Sequence, residues 1–355
     1  MKNITKPVQK KSAVLIQKSP TEKKKTNPNE MKSRTPRKRQ SVLNTTKMQM
    51  DSNSITKILN GEIKSSLFKD KPKTIEIFHT EEKYTIFPNL TQTIEISYKE
   101  DKNKTYKQEM EDKGKTVLNF KENPKNILIT LFDGHGGDFV SKYLQQNFDK
   151  YFKKNLKNLK EEEINKSYNK TFSEIDNDIK EKSMYIGSTG TILLITEEEN
   201  QKVIYGANIG DTRCTLFNEK NYERLSFDHR ADDKKEIGRI INSGGYLKEG
   251  RVNGTLMLSR VFGDFEFKKL GVKCEPFLFK KVINNDIKNQ FIILASDGIW
   301  DIIEEWEIKD YINDIVRDLE GSGESMTKKI CDKLIEDTMQ SGGWDNISIF
   351  AIKLN

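Results

Sequence analysis

The run Ile127–Phe132, Ile-Leu-Ile-Thr-Leu-Phe, is the strongest constraint in the chain. A strand with one wet face needs polar and apolar residues in alternation. Nearly continuous apolar residues fit a strand buried on both faces. The run stops at Asp133, and Gly134, His135, Gly136 and Gly137 follow. A carboxylate and an imidazole are thereby set at the end of a rigid support. The glycines allow a sharp turn, in which a main-chain carbonyl can point at an ion. Val140, Tyr143, Leu144, Asn147, Phe148 and Tyr151 then recur at helical spacing. The unit reads strand, acidic glycine turn, helix. Taken by itself, such a turn is better explained by Asp133 as a helix cap and His135 as a surface residue, and it is the later Asp-rich turns that shift the balance.

The pattern repeats. Residues 203–207 read as a strand ending at Asn208-Ile-Gly-Asp211, and the Gly-Asp turn predicts a hairpin completed by residues 212–216. Residues 291–295 form another short apolar run, ending at Ser296-Asp297-Gly298-Ile-Trp-Asp301. Gly342-Gly-Trp-Asp345-Asn346 precedes a last strand over 347–352, and Gly187-Ser-Thr-Gly-Thr191 leads into a buried strand over 192–195. Strands at 93–98 and 117–120 bracket the charged stretch Lys107-Gln-Glu-Met-Glu111-Asp112-Lys-Gly114, which reads as a solvated hairpin. Apolar spacing predicts helices around Ile164 to Ile179, over 232–243, around Ile308 to Leu319 and around Ile330 to Thr338. Strands flank the motifs and helices come in pairs between them. The predicted class is α+β, with layered sheets covered by helical hairpins.

Asp133, Asp211, Asp297 and Asp345 thus all lie at strand ends or turns beside glycine, and Glu111 is comparably placed. Hard oxygen donors with few histidines favour Mg2+ or Mn2+ over zinc. The chain has only three cysteines, widely spaced, which excludes a disulfide framework and predicts a reducing, intracellular, cytoplasmic setting, with cytoskeleton, cilium or nucleus as variants. Two ions about 4 Å apart can lower the pKa of a shared water and clamp a phosphoryl group. His135 can then protonate a leaving oxygen. This chemistry is that of a binuclear-metal hydrolase. The competing reading is a β-rich domain whose turns are merely acidic.

Charge divides the chain. Residues 1–50 hold 14 Lys or Arg against 2 Asp or Glu, four of the eight prolines and no aromatic residue. Such a segment cannot bury enough apolar surface to fold alone. Its densest run, Lys32-Ser-Arg-Thr-Pro-Arg-Lys-Arg39, suits an acidic partner or polymer surface, a microtubule-like assembly included. Nucleic acid is the weaker alternative, and a solvated tail is the plain one. Residues 51–92 are transitional: a short helix at Ile55, Ile58, Ile63 and Leu67, strands at 74–78 and 84–87, and an isolated His79 read as structural or exposed. No apolar run is long enough to span a membrane, and residues 13–16 are too short for a signal-peptide core.

The chain resembles the metal-dependent Ser/Thr protein phosphatases, the type 2C or PPM family. The segments that carry the resemblance are Leu131-Phe-Asp-Gly-His-Gly-Gly137, Gly187-Ser-Thr-Gly190, Ala207-Asn-Ile-Gly-Asp-Thr-Arg213 and Leu225-Ser-Phe-Asp-His229. Further ones are Arg239-Ile-Ile-Asn-Ser-Gly-Gly245, Arg251-Val-Asn-Gly254, Leu258-Ser-Arg-Val-Phe-Gly-Asp264, Ile292-Ile-Leu-Ala-Ser-Asp-Gly-Ile-Trp-Asp301 and Trp344-Asp-Asn346. They occur in the family's order over residues 93–355. The resemblance implies a central antiparallel β-sandwich flanked by helix pairs, in α-β-β-α layers. It implies two Mg2+ or Mn2+ ions bridged by Asp133, one completed by Glu111 and the Gly134 carbonyl, the other by Asp297 and Asp345. Asp211, with Asp297 and Asp301, matches a weaker third site. A bridging hydroxide would attack phosphorus directly, with His135 as general acid and a phosphoserine or phosphothreonine protein as substrate. His229, Arg251 and Arg260 read as structural.

The departures from the family carry expectations of their own. Lys107 stands where the family usually has an arginine for the substrate phosphate, so the charge is kept but the bidentate fork is lost. Glu109 becomes the ligand in place of Glu111 if the register slips by two. Gly114 replaces a frequent histidine, and the short span between Asp264 and Phe291 predicts a trimmed flap beside the substrate. The rival class is a weak or inert scaffold that keeps the fold within a larger assembly. All the acidic ligands are present, which favours the enzyme. A nucleic-acid-binding protein rests on the tail alone and requires salt-sensitive binding that vanishes with residues 1–50.

Overall fold

In a computed structural model of the chain, the residues described are 94–355, together with the backbone of two earlier strands at 76–79 and 82–86. The expectations for residues 1–50 and for the helix near Ile55 lie outside the described residues. Along the chain, β1 (Glu76–His79), β2 (Glu82–Ile86), β3 (Glu95–Asp101), β4 (Lys113–Leu118), β5 (Ile127–Phe132) and the short β6 (Gly134–His135) come first. Helices α1 (Phe139–Asn155) and α2 (Glu161–Ile179) follow as a pair. Next are β7 (Gly187–Ser188), β8 (Gly190–Glu198), β9 (Gln201–Ile209), β10 (Arg213–Phe217) and β11 (Tyr222–Arg224). Helix α3 (Lys234–Asn242), β12 (Leu247–Lys248), β13 (Arg251–Val252), β14 (Phe262–Gly263) and α4 (Phe265–Lys268) lead to β15 (Phe277–Val282) and β16 (Phe291–Ala295). One turn of helix, α5 (Asp297–Trp300), a second pair, α6 (Glu305–Leu319) and α7 (Met326–Gln340), and β17 (Ile347–Lys353) complete the order.

Two antiparallel sheets form the centre, in the orders β1-β2-β3-β17-β16-β10-β11 and β15-β9-β8-β5-β4. The period-two geometry of β5 explains its continuous apolar run. Ile127, Ile129 and Leu131 point between the sheets, where they meet Ile292, Leu294, Phe350 and Ile352. Leu128 and Phe132 point outward, into a second cluster with Leu144, Phe148, Phe152, Tyr168 and Phe172 of α1 and α2. β16 and β17 mirror this, turning Phe291, Ile293, Ile347 and Ile349 toward Ile308, Ile312, Ile330 and Leu334 of α6 and α7. The architecture is the α-β-β-α sandwich. Each fully buried Leu, Ile or Phe contributes about 1.5–3 kcal/mol relative to exposure, so the three clusters dominate its stability.

Two connections differ from the sequence reading. β9 does not form a hairpin with β10: it pairs with β8 and β15, while β10 pairs with β16 and β11. Likewise β3 pairs with β17 and β4 pairs with β5, so residues 102–112 are no solvated hairpin. Both links cross from one sheet to the other. β9 and β10 are each buried along nearly their whole length, which a two-stranded hairpin could not provide. The consequence is functional, because both crossovers deliver acids to one edge of the sandwich. β5 and β16 end there, and β17 begins there. The two strands preceding β3 also have a definite place, pairing in series at the edge of the seven-stranded sheet.

Candidate active site at the acidic edge

Asp133 follows the last residue of β5 and is fixed by a reciprocal pair of bonds. Its N–H donates to Thr189 Oγ1 at 3.0 Å, and its carbonyl accepts from Thr189 N at 2.8 Å. Asp297 opens α5 at the end of β16. A Cβ on the neighbouring Gly298 would lie 2.1 Å from the Asn346 carbonyl, so only glycine lets this turn press against Asp345-Asn346. Asp211 sits in the β9–β10 crossover and is buried.

Glu111 is held from both directions. Its Oε1 accepts from Gly137 N at 2.5 Å, its carbonyl accepts from Ser141 Oγ, and its N–H donates to Asn346 Oδ1 at 2.9 Å. Gly134 packs directly on it, since a Cβ there would lie 2.7 Å from the Glu111 carbonyl. Glu109 is exposed and tied in by its carbonyl, which accepts from Asn346 Nδ2 at 3.1 Å. The described geometry therefore puts Glu111, not Glu109, beside the Asp133 turn.

Burial first, and then the charges of Asp112, Asp297, Asp211 and Asp345, push the Asp133 carboxyl well above the usual range. Burial and the charges of Asp211, Asp345, Asp301 and Asp112 do the same to Asp297. Among the described residues neither has an ion-pair partner. Burial raises Asp112 and Asp211 to about 6. The carboxylates are thus near enough to act on one another's charge. They stand as an open cluster: among the described residues, no three His, Cys, Asp or Glu side chains close on a common point. Its donor chemistry nevertheless fits a hard divalent cation, because the donors are carboxylates and Asp112 Oδ2 is a buried oxygen with no hydrogen-bond partner.

Three cationic or polar groups complete the edge. Lys107 Nζ lies 2.5 Å from Asp345 Oδ1. Partial burial opposes its charge, but Asp345, Glu111 and Asp133 outweigh this and raise it. The guanidinium of Arg230 bridges Asp211 (3.1 Å) and Asp301 (2.6 Å), the two acids expected at a third ion. His135, also placed by its strand at this edge, has Nε2 2.5 Å from Asp264 Oδ2. Every site residue read from the sequence is thus on or next to the acidic edge. His229 is buried with Nδ1 3.3 Å from the Gly210 carbonyl, Arg260 pairs with Glu236 at 2.8 Å, and Arg251 donates to the Thr255 carbonyl at 2.9 Å. Gly114 lies under the Tyr98 ring.

Sequence reasoning missed Asp112, Asn346, Arg230 and Asp264 as members of the site. Asp112 and Asn346 adjoin residues already singled out, so adjacency was the available signal. Asp264 closes one of the motifs quoted above and Arg230 follows another, but their partners are set by tertiary packing alone.

Comparison with known proteins identifies the family. The family model described as protein phosphatase 2C matches residues 96–347. Protein phosphatase 2C homolog 2 of Schizosaccharomyces pombe is 34% identical over 257 residues, covering 68% of each chain. Protein phosphatase 2C homolog 1 of Saccharomyces cerevisiae is 30% identical over 267 residues, covering 71% of this chain and 91% of that protein. The fold matches the crystal structure of a serine-threonine phosphatase 2C from Toxoplasma gondii with a TM-score of 0.63 at 18% identity, over 80% of this chain and all of that one. The chain belongs to the protein phosphatase 2C family and is a protein serine/threonine phosphatase.

Proposed function

We propose that the acidic edge holds two Mg2+ or Mn2+ ions and hydrolyses phosphoserine and phosphothreonine in proteins. The observation that supports this best is the set of buried aspartates, Asp133 and Asp297 above all, that repel one another and have no ion-pair partner among the described residues. Such a set is relieved by taking up protons or by binding divalent cations, and only the cations do so while keeping the carboxylates ionised. Asp133 would serve both ions, Glu111 and the Gly134 carbonyl one, Asp297 and Asp345 the other, with Asp112 accepting from ion-bound water. When bound, the ions supply an activated water and neutralise the phosphoryl oxygens.

The chain's own residues do the rest. Lys107 orients the phosphate with its ammonium. Asn346 keeps Glu111 and Asp345 in register through the bond to Glu111 N at 2.9 Å. His135 gives a proton to the departing serine or threonine oxygen. Asp211 and Asp301 are candidates for a third ion, for which Arg230 competes. The basic residues 1–50 supply the charge for docking on an acidic partner surface, and deleting them tests that role separately from catalysis.

The decisive experiment is hydrolysis of a phosphothreonine peptide with Mn2+ or Mg2+, beside the Asp133→Asn variant. Metal-dependent turnover that the variant abolishes supports the reading. A folded wild-type protein that turns over nothing at saturating metal excludes it.

A further inference from the structure

His135 and Asp264 are 129 positions apart, yet the fold is built to bring them together. β6, β7 and β14 form a three-stranded sheet in which Gly187 pairs with His135 on one side and with Gly263 on the other. His135 and Asp264 reach over Gly187 from its two sides. A Cβ at Gly187 would lie 2.4 Å from Asp264 Oδ2 and 2.5 Å from His135 Nε2. The pair fills the space that the missing side chain leaves.

The Asp264 backbone is held in place by hydrogen bonds to the segments around it. Its φ is +51°, in the left-handed region, which aspartate adopts more readily than most L-residues. Its N–H donates to the Ile186 carbonyl at 3.1 Å, and its carbonyl accepts from Phe267 N at 2.9 Å. One residue earlier, Gly263 N donates to Asp176 Oδ1 at 2.8 Å, and Asp176 is itself paired with Lys268 at 3.0 Å. The Asp264 side chain is 2% exposed, whereas that of His135 is 34% exposed. Several independent contacts therefore fix the backbone that presents this buried carboxylate to His135. The described side-chain partner of Asp264 is His135.

We propose that Asp264 is the positioning residue for His135. A carboxylate only accepts, so the Nε2 facing it carries a hydrogen, and Nδ1 is left to hold the proton that is delivered. The proposal rests on His135 being the general acid. As the ester P–O bond breaks, its electron pair goes to the serine or threonine oxygen, which takes the Nδ1 proton. Phosphorus gains the oxygen of the attacking water. The imidazole is left neutral with Nε2–H still on Asp264, and the proton released from water restores its charge through solvent. Asp264 fixes the ring orientation and the tautomer, as an aspartate does for an imidazole in other acid–base pairs.

The test uses leaving groups that differ in their need for a proton. p-Nitrophenolate leaves readily without one, whereas a threonine alkoxide does not. In the full chain, Asp264→Asn lowers kcat on a phosphothreonine peptide by about 10²-fold with KM held, and lowers kcat on p-nitrophenyl phosphate by less than about threefold. Asp264→Glu recovers part of the loss. Gly187→Ala, which keeps both side chains and crowds the gap between them, gives the same selective loss. A second readout is independent of activity. The chain has three histidines, so the downfield Nε2–H signal of His135 is assignable by NMR in the metal-free protein, and Asp264→Asn removes it. Equal loss on both substrates, or an unchanged Nε2–H signal in Asp264→Asn, overturns the proposal. Full peptide turnover in His135→Gln shows instead that the underlying acid assignment is wrong, and overturns it from that side.

Discussion

Lys107 Nζ lies 2.5 Å from Asp345 Oδ1, and its ammonium is 5.8 Å from the centre of the exposed Trp344 ring. A single cation is thus shared between an aspartate of the acidic edge and an exposed aromatic ring. An ammonium is a compact charge, whereas a guanidinium can hold one carboxylate and still present a second edge to phosphate. Lys107→Arg is therefore expected to lower KM for a phosphothreonine peptide by about three- to tenfold, with kcat changed less than about twofold. Lys107→Met is expected to raise KM by about tenfold or more. Steady-state kinetics decide this, and a change confined to kcat would remove Lys107 from phosphate binding.

Asn346 is the clamp between the two sheets at the site. It accepts from Glu111 N at 2.9 Å and donates to the carbonyls of Lys102 at 2.9 Å and Glu109 at 3.1 Å. Replacement by alanine leaves these groups to find water in a half-buried loop, at about 1–3 kcal/mol in total. Asn346→Ala is expected to weaken Mn2+ affinity by about tenfold or more, because Glu111 loses its register with Asp345. Calorimetric titration with Mn2+ measures this, and unaltered affinity would show that the loop holds itself.

The layers of this fold were legible because β5, β16 and β17 are buried on both faces and write that fact as continuous apolar runs. The aspartates at their ends were legible for the same reason: a strand boundary beside glycine is a local signal. The crossovers at 102–112 and 210–212 were not, since a turn that joins two sheets and a turn that closes a hairpin use the same residue types. Asp112 was passed over because a buried acid and a solvated one look alike in sequence. Asp264 and Arg230 act across distances of 129 and 71 positions, and only packing reveals their partners.

His229 is buried and neutral. Burial, reinforced by the Arg260 charge, pushes its pKa down to about 3, against an unfolded value near 6.5. Above pH 6.5 neither state takes up the proton, and the imidazole leaves stability independent of pH. As pH falls from 6.5 toward 3, the unfolded chain is protonated first, so stability is lost across that window. His229→Gln removes this dependence while keeping a group able to meet the Gly210 carbonyl. Chemical denaturation of both proteins at pH 7.5 and pH 5 should show the wild type losing about 1–2 kcal/mol more than the variant. Parallel losses in the two would place the acid sensitivity elsewhere.

The aspartate cluster makes the opposite prediction about charge. A carboxylate whose folded pKa is raised destabilises the fold in its ionised form, and the loss grows as pH rises from about 4 through the folded value, about 6 for Asp112 and Asp211. At pH 7.5 in the presence of chelator, several such charges face Asp133. Asp133→Asn removes one of the mutual repulsions while keeping the shape and the N–H to Thr189. It is expected to raise the Tm of the metal-free protein by about 2–6 °C, the equivalent of about 1–2 kcal/mol. Saturating Mn2+ should then reverse the order. The wild type gains stability because the ions neutralise the cluster, and the variant gains little because its central ligand is an amide. An Asp133→Asn protein less stable than wild type in chelator, yet stabilised equally by Mn2+, would mean that these carboxylates are already satisfied by the protein and that the ions bind somewhere else.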